Sequence, residues 1–483
     1  MNDKKEECGI FGIWGDKSAA EKTYFGIHSL QHRGQESAGI ATSDGKTINC
    51  FTGMGTVSRV FRPSRNVLPR LSKNAVGAIG HVRYSTAGSS NRNNAQPMLA
   101  EYSRGQVCVA HNGNITNATI IRDEYEAYGS IFKSTNDTEI LIHLLAKPTH
   151  INKPDTIGHV LRHLSGAFCV LFMFPDRIEA ARDTHGMRPL SIGKTKDGAY
   201  CVASESCAFD AIGAEFVRDV EPGEIITIDD LGLTSRHYVE KEDIKPAHCI
   251  FEHVYFSKQN SYIFGENVHE VRKKLGRRLA QEHPVQADLV TPIPDSGTAS
   301  AIGFSHESGI PFDMGFVRSH YVGRTFISPT QEMRDLAVRL KLAVVKEAVK
   351  GKRVVVVDDS IVRGTTTRGK VRSLREAGAT EVHLRISCPP LKFPCFYGVD
   401  FPTKEELVAN NMTLEELRDF LEADSLGYLS IDGMLGCASL PNDHYCSACW
   451  SGDYKVPTYQ QKGKLAMERG YRNLFEDLEI ENG

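Results

Sequence analysis

Four groups of residues in this 483-residue chain have types and spacing suited to chemistry. The first is Asp358-Asp359, which follows four valines (354–357) and precedes the run SIVRGTTT (360–367). A buried strand delivers such a pair to its carboxyl end, where open α/β sheets bind ligands. The loop after it, rich in hydroxyls and glycine, leads into a helix whose N–H groups suit a 5′-phosphate. The paired carboxylates suit ribose hydroxyls and a magnesium ion. The second is Cys8, at the start of the apolar run CGIFGIW. As an internal residue it is an ordinary buried thiol. Removal of Met1–Glu7 would give it its own α-amino group, with a pKa near ~8, as general base for the thiol. The third is Cys446-x-x-Cys449, a pair spaced for a metal, which Cys249 and Cys395 bring to four. Each of those two has aromatic neighbours that would exclude water, and both zinc and an iron–sulfur cluster accept four thiolates. The fourth is a series of short polar motifs: QHRGQESAGIA (31–41), HVRYSTAG (81–88), HNGNITN (111–117) and STNDTE (134–139).

These groups need elements to hold them. The first half reads as β-rich, with strands at 8–14, 75–84, 106–111, 167–174 and 199–203 separated by glycine-rich turns. A helix is predicted over 19–32, with Tyr24, Ile27 and Leu30 at helical spacing. This pattern suggests layered α+β rather than a βαβ repeat. Near 240–250 the character changes. Residues 268–282 form an amphipathic helix stopped by Pro284, and a strand over 287–293 enters the loop PDSG (294–297). A helix-like stretch ends at Gly309. A strand at 353–357, a helix through Ala377 stopped by Gly378, and a strand at 381–387 follow. Valine-rich strands alternating with helices indicate a parallel sheet covered on both faces. Segments at 404–423 are helix-forming, and the residues after 450 form a polar, helical tail.

Composition excludes some functions. At 41% hydrophobic and 24% charged the chain is an ordinary soluble globular protein, too long for one core. A net charge of −3 gives no reason to expect nucleic acid or a membrane as partner. The cluster Arg272-Lys273-Lys274 reads as solvated helix surface. No apolar run approaches the ~18 residues of a membrane span, and the charged first residues lack a secretory signal. The expected location is cytoplasmic. Of the twelve cysteines, Cys50, Cys108, Cys169 and Cys201 lie in or beside strand-like runs and read as core, as do Cys388 and Cys437.

Taken in order, CGIFGI and the four polar motifs resemble the N-terminal-nucleophile glutamine amidotransferases over most of residues 8–240. The resemblance implies an αββα hydrolase domain with Cys8 as nucleophile and a short propeptide cut at Glu7–Cys8. Arg83 would hold glutamine's α-carboxylate and Asp137 its α-ammonium, with Arg33 helping to close the site. Asn112 and the N–H of Gly113 would form the oxyanion hole. The run VVVVDDSIVRGTTT resembles the type I phosphoribosyltransferases. Residues 246–450 are similar to glutamine phosphoribosylpyrophosphate amidotransferases, which displace pyrophosphate with ammonia to make 5-phosphoribosylamine for purine synthesis. That likeness implies domains at 8–245 and 246–450, propeptide 1–7 and tail 451–483. It implies Mg²⁺ at Ser296, Asp358 and Asp359, and pyrophosphate at Asp295, Ser296 and Gly297. Ser360, Arg363, Gly364, Thr365 and Thr366 would hold the phosphate, and 318–334 would form a lid with Arg324, near Lys341, on the pyrophosphate. Cys249, Cys395, Cys446 and Cys449 match the iron–sulfur subgroup, which carries a structural [4Fe–4S] cluster. Inhibition by purine nucleotides and a homotetramer are implied as well. Relatives that aminate other acceptors lack the DDSIVRGTT loop, and a catalytically silent redox sensor would not need the full set of site residues.

Overall fold

Alternation along single strands sets the architecture of the first half. In Gly9–Trp14, Ile10 and Trp14 pack toward a second sheet while Phe11 and Ile13 pack toward helices. In Gly166–Phe174, Cys169, Leu171 and Met173 face the first sheet, and Phe168, Val170, Phe172 and Phe174 face helices on the far side. A period-two split with both faces apolar requires a covered sheet on each side.

The computed structural model, which describes residues 8–84, 91–319, 342–399 and 403–458, meets that requirement with four layers. One sheet has seven strands in the order Ala214–Asp219, Ser191–Thr195, Tyr200–Ala203, Gly9–Trp14, Gly77–Arg83, Ser37–Ser43 and Ile48–Met54. The other has six, in the order Gly232–His237, Glu224–Asp229, Arg177–Arg182, Gly166–Phe174, Gly105–Ile115 and Met98–Tyr102. Helix Ala19–Ser29 and three shorter helices cover the first sheet. Helices Ala118–Ala127, Thr138–Ala146 and Thr156–Leu161 cover the second. The expected αββα layering is therefore present. Two expectations shift. The strand predicted at 106–111 runs on to Ile115, so the HNGNI motif lies within a strand. Cys50 is half-buried rather than core, its thiol donating to the Pro97 carbonyl at 3.4 Å.

The chain divides into two compact units: residues 8–245 with 396–399 and 456–458, and residues 246–395 with 403–455. The second contains a four-stranded parallel sheet in the order Leu289–Pro292, Arg353–Asp358, Glu381–Ile386, Ser425–Tyr428. Helices Val268–Glu282, Thr298–Ser308 and Thr365–Glu376 belong to it. Thr298–Ser308 ends at Gly309 in the left-handed conformation, as the sequence predicts. Gly276 faces the Ser300 carbonyl so closely that a Cβ there would stand 1.8 Å from the oxygen, and the two helices touch through that gap. Arg272 corrects the reading of its cluster as solvated surface. It is 2% exposed and donates to the carbonyls of His253 at 2.7 Å and Ser257 at 2.8 Å, which close the turn before the helix. Its long apolar stem and forked donors let one buried side chain satisfy both carbonyls. Among the described residues no helix is long and apolar enough to cross a membrane.

Candidate active sites

The parity that builds the sandwich also gathers its polar residues. Cys8 has the same parity as Ile10 and Trp14, Asn112 as Cys108 and Ala110, and Ser204 as Val202. His81 and Arg83 continue the line of Ile79. All these even or odd neighbours belong to the inter-sheet core, so the polar side chains that extend them meet at the end of the same layer.

Cys8 is 6% exposed, and its thiol donates to the Tyr84 carbonyl at 3.3 Å. Burial pushes the thiol up to about 11, against the opposing pull of Arg83 and of the bond to Tyr84. Arg33, 1% exposed, donates from Nε to the Cys8 carbonyl at 2.9 Å and from Nη1 to Glu205 at 2.6 Å. Its guanidinium thus ties the Cys8 backbone to Glu205. Gly34 allows this, because a Cβ there would stand 2.5 Å from the backbone carbon of Arg83.

Asn112 is fully buried. Its Nδ2 lies 3.4 Å from Ser204 Oγ, which also accepts the Ile10 N–H at 3.0 Å, and its Oδ1 has no hydrogen-bond partner. Gly113 has φ +136°, and a Cβ would fall 2.0 Å from the Ala167 carbonyl oxygen, so only glycine fits. Asp137 precedes helix Thr138–Ala146 and accepts the Ile115 N–H at 3.0 Å, with His111 Nδ1 3.6 Å away. Burial disfavours its charge, but His111, the Ile115 N–H and Arg83 outweigh burial and hold it below the usual carboxylate value. His81, fully buried, is pushed down to about 3 by desolvation and stays neutral, its Nε2 donating to the His111 carbonyl at 3.0 Å.

In the second unit, two loops leave the carboxyl ends of adjacent strands. Pro292 is in register with Val357, and beyond them Ser296 Oγ donates to Asp359 at 2.7 Å. Ser360 Oγ donates to the other Asp359 oxygen at 2.8 Å. Asp358 accepts the Asp359 N–H at 2.9 Å and Lys370 Nζ at 3.0 Å, and both carboxylates are buried. Gly297 sits 2.4 Å, measured from a would-be Cβ, from the Val357 carbonyl, and so packs the first loop against the second strand. Gly364 adopts φ +78° and caps helix Thr365–Glu376, placing Thr365 and Thr366 on its first turn. Two expected contacts are engaged elsewhere on the surface: Asp295 pairs with Arg318 at 2.5 Å, and Arg363 with Glu406 at 3.0 Å. Arg324, Lys341 and most of the lid 318–334 lie outside the described residues, as do Met1–Glu7 and residues 459–483.

The four cysteines converge from three places. Strand His248–Cys249 pairs in parallel with Tyr445–Cys446, setting Cys249 beside Cys446. The Cys449 carbonyl accepts the N–H groups of Lys392 and Phe393 at 3.1 Å, which brings in the segment that ends at Cys395. Burial, then the neighbouring thiols of Cys395, Cys249, Cys446 and Cys388, push the Cys449 thiol well up. Phe251, two residues after Cys249, and Trp450, next to Cys449, pack with ring centroids 5.4 Å apart. Cys388 and Cys437 are buried, as expected of core residues. Four neighbouring thiols are a donor set whose chemistry suits a tetrathiolate centre.

Three supporting residues escaped sequence reading. Ser204 and Glu205 follow a short strand in the unremarkable run ASES, and Lys370 sits one helical turn beyond the hydroxyl loop. Nothing in their local sequence distinguishes them from a turn and a surface charge.

Similarity to known proteins agrees with this geometry. A family model described as a glutamine amidotransferase domain matches residues 81–211. The chain is 48% identical over 461 residues to the amidophosphoribosyltransferase of Bacillus subtilis (strain 168), covering 94% of this chain and 95% of that one. It is 48% identical over 483 residues to the chloroplastic amidophosphoribosyltransferase of Glycine max, covering 99% and 84%. The solved structure of the B. subtilis glutamine phosphoribosylpyrophosphate amidotransferase, complexed with ADP and GMP, matches with a TM-score of 0.88 and 46% identity over 96% of this chain and all of that one. A structure of the allosteric regulatory enzyme of purine biosynthesis matches at 0.89 and 46%, covering 95% and 99%. With two polar centres of this geometry and near-full-length relatives at this identity, the chain belongs to the amidophosphoribosyltransferase family.

Proposed function

We propose that this chain hydrolyses glutamine at Cys8 and uses the ammonia to displace pyrophosphate from C1 of phosphoribosyl pyrophosphate. The products are glutamate, pyrophosphate and 5-phosphoribosylamine, as in the first step of purine synthesis. The observation that carries this reading is the presence in one chain of two centres: a buried cysteine at the mouth of a β-sandwich, and a buried Asp358–Asp359 pair at the end of a parallel sheet.

In the first half-reaction Cys8 Sγ attacks the side-chain carbonyl carbon of glutamine. The thiol proton passes to the α-amino group of Cys8, once residues 1–7 are removed by cleavage at Glu7–Cys8, and from there to the departing ammonia. A thioester forms, and water hydrolyses it. Arg33 keeps the Cys8 carbonyl in place. Arg83 takes the α-carboxylate and Asp137, held ionised, the α-ammonium. The oxyanion falls to Asn112 and the Gly113 N–H. Ser204 would orient the former: a half-turn of the Asn112 amide lets its oxygen accept from the Ser204 hydroxyl and turns Nδ2 toward the unpartnered position.

In the second half-reaction Asp358 and Asp359 bind the ribose hydroxyls, and the Ser360–Thr366 loop takes the 5′-phosphate at the helix N-terminus. Asp295, Ser296 and Gly297 form the pyrophosphate loop. Ser296, Asp358 and Asp359 are oxygen donors that suit a hard cation. They would hold Mg²⁺, which neutralises the leaving pyrophosphate when bound. Lys370 balances the charge of Asp358. Arg324 and Lys341 complete the pyrophosphate contacts in this reading. Cys249, Cys395, Cys446 and Cys449 would carry a structural [4Fe–4S] cluster. Purine nucleotides act as inhibitors in this reading, which the B. subtilis relative solved with ADP and GMP supports. The working form is a cytoplasmic homotetramer.

The test is Cys8→Ala. Glutamine-dependent formation of phosphoribosylamine should disappear while the reaction with added ammonium salts continues, with pyrophosphate release as the readout. Loss of both activities, or glutamate release by wild type without pyrophosphate, would overturn the assignment.

A further inference from the structure

Behind the sheet that carries Asn112, the outer helical layer holds three histidines that glutamine hydrolysis does not use. Ring nitrogens of His150, His159 and His163 all lie within 4.8 Å of one another. The ring centroids form a nearly equilateral triangle: 4.6 Å between His150 and His159, and 4.8 Å from His163 to each. His150 comes from the short helix Pro148–Ile151. His159 lies in helix Thr156–Leu161, and His163 follows it one turn later. Exposure rises across the set, from buried His150 through half-buried His159 to exposed His163.

Hydrogen bonds set the tautomer of two of the three rings. His150 Nδ1 donates to the Leu144 carbonyl at 3.0 Å, and His163 Nδ1 to the His159 carbonyl at 2.8 Å. A carbonyl only accepts, so each Nδ1 carries the proton and each neutral ring keeps its lone pair on Nε2. Backbone carbonyls that hold Nδ1 are the usual outer partners of metal-binding histidines, because they set both tautomer and ring direction. The nearby carboxylate does not compete. Asp155 accepts from the Gly158 N–H at 3.0 Å and from Arg236 at 3.1 Å.

We propose that His150, His159 and His163 form a binding site for a zinc-class divalent transition-metal ion, with three imidazole ligands and water at the exposed fourth position. Imidazole donors select zinc, nickel and copper over magnesium or calcium. Tetrahedral coordination wants ligand nitrogens about 3.4 Å apart, given metal–nitrogen bonds near 2.0–2.1 Å. Small rotations of the two more exposed rings close that gap around the fixed His150. The bound ion would clamp the two short helices to the end of Thr138–Ala146, the helix whose first turn follows Asp137. The site is separate in chemistry from the four thiols and from the carboxylate pair.

The experiment uses full-length protein purified with its thiol centre intact, dialysed against Zn²⁺ and assayed for bound zinc. Wild type is compared with His163→Asn and with His159→Asn/His163→Asn. Wild type should bind one equivalent more than the double variant, and the single variant should bind it at least about tenfold more weakly. Zn²⁺ should also raise the melting temperature of wild type and not that of the double variant. Glutamine hydrolysis without added zinc should be equal in all three, which shows that the fold is intact. Equal zinc content and equal melting shifts in wild type and double variant would overturn the site and assign the zinc to the thiols. A wild type that binds no zinc beyond its thiol centre would overturn it as well.

Discussion

At the residue scale, Cys8 sits where its surroundings oppose the very ion it needs. With residues 1–7 attached, burial holds the thiol near 11, so at pH 7 only about one molecule in ten thousand carries the thiolate. Raising the pH should release it. Alkylation of Cys8 by iodoacetamide in the uncleaved chain, followed by peptide mapping, is expected to accelerate about tenfold per pH unit until near pH 11. A rate already flat at pH 7 would mean that Arg83 governs the thiol instead of burial. Asp137 carries the opposite sign. Its folded pKa is depressed, so the stability it contributes is present above the ordinary carboxylate value and is lost only as pH falls through the lower folded value. Its charge therefore persists through the mildly acidic range, as its proposed role on the glutamine ammonium requires.

At the scale of elements, strand Gly105–Ile115 does two jobs at once. Its apolar residues split between two cores, and its last turn of the alternation presents Asn112 and Gly113 to the site. Gly113 is the point of greatest constraint, with φ +136° and the Ala167 oxygen in the place of any side chain. Gly113→Ala must shift one strand against the other. It is expected to cost about 3 kcal/mol of stability and to lower glutaminase kcat by about 10²-fold through a displaced oxyanion hole. Urea denaturation and glutamate release check the two parts separately. A variant with wild-type kcat would remove Gly113 from the oxyanion hole.

On the scale of the whole molecule, the segment 396–399 is notable because it belongs to the glutaminase unit although the chain on both sides of it does not. Asn114 donates to the Phe396 carbonyl at 2.8 Å, Arg188 to the Tyr397 carbonyl at 3.0 Å, and the Tyr397 hydroxyl to the Val456 carbonyl at 2.7 Å. Gly398, at φ +108°, stands with its would-be Cβ 3.1 Å from the Gly113 carbonyl carbon. The residue before this strap is Cys395. Gly398→Val should press on Gly113 and reduce glutamine-dependent turnover by about tenfold, since misplacements of an ångström or less carry penalties of that order. Ammonia-dependent turnover should stay within about twofold of wild type. An equal fall in both would show that the strap supports the phosphoribosyl half rather than the oxyanion strand.

The sequence alone determined the order of the glutaminase motifs, the two-unit plan with its change near residue 245, and the Asp358–Asp359 loop. Each is written in contiguous residues, through strand alternation, glycine placement or a run of valines that has one plausible fate. It also set Cys8 at the head of a strand, but it ended the strand that begins near 106 one residue before Asn112, because HNGNI is polar and polar residues read as loop. Only tertiary structure decided why those polar residues are tolerated: the strand parity that turns them inward is shared by segments far apart in sequence, and it buries them together. Ser204 reaches Asn112 across 92 positions, and Glu205 reaches Arg33 across 172. Arg272 turned from presumed surface to core because two carbonyls needed donors. The triad of histidines has the same origin, since His150 joins His159 and His163 only once helix Pro148–Ile151 packs against helix Thr156–Leu161. Local sequence sets which face a side chain takes, and packing alone sets what that face meets.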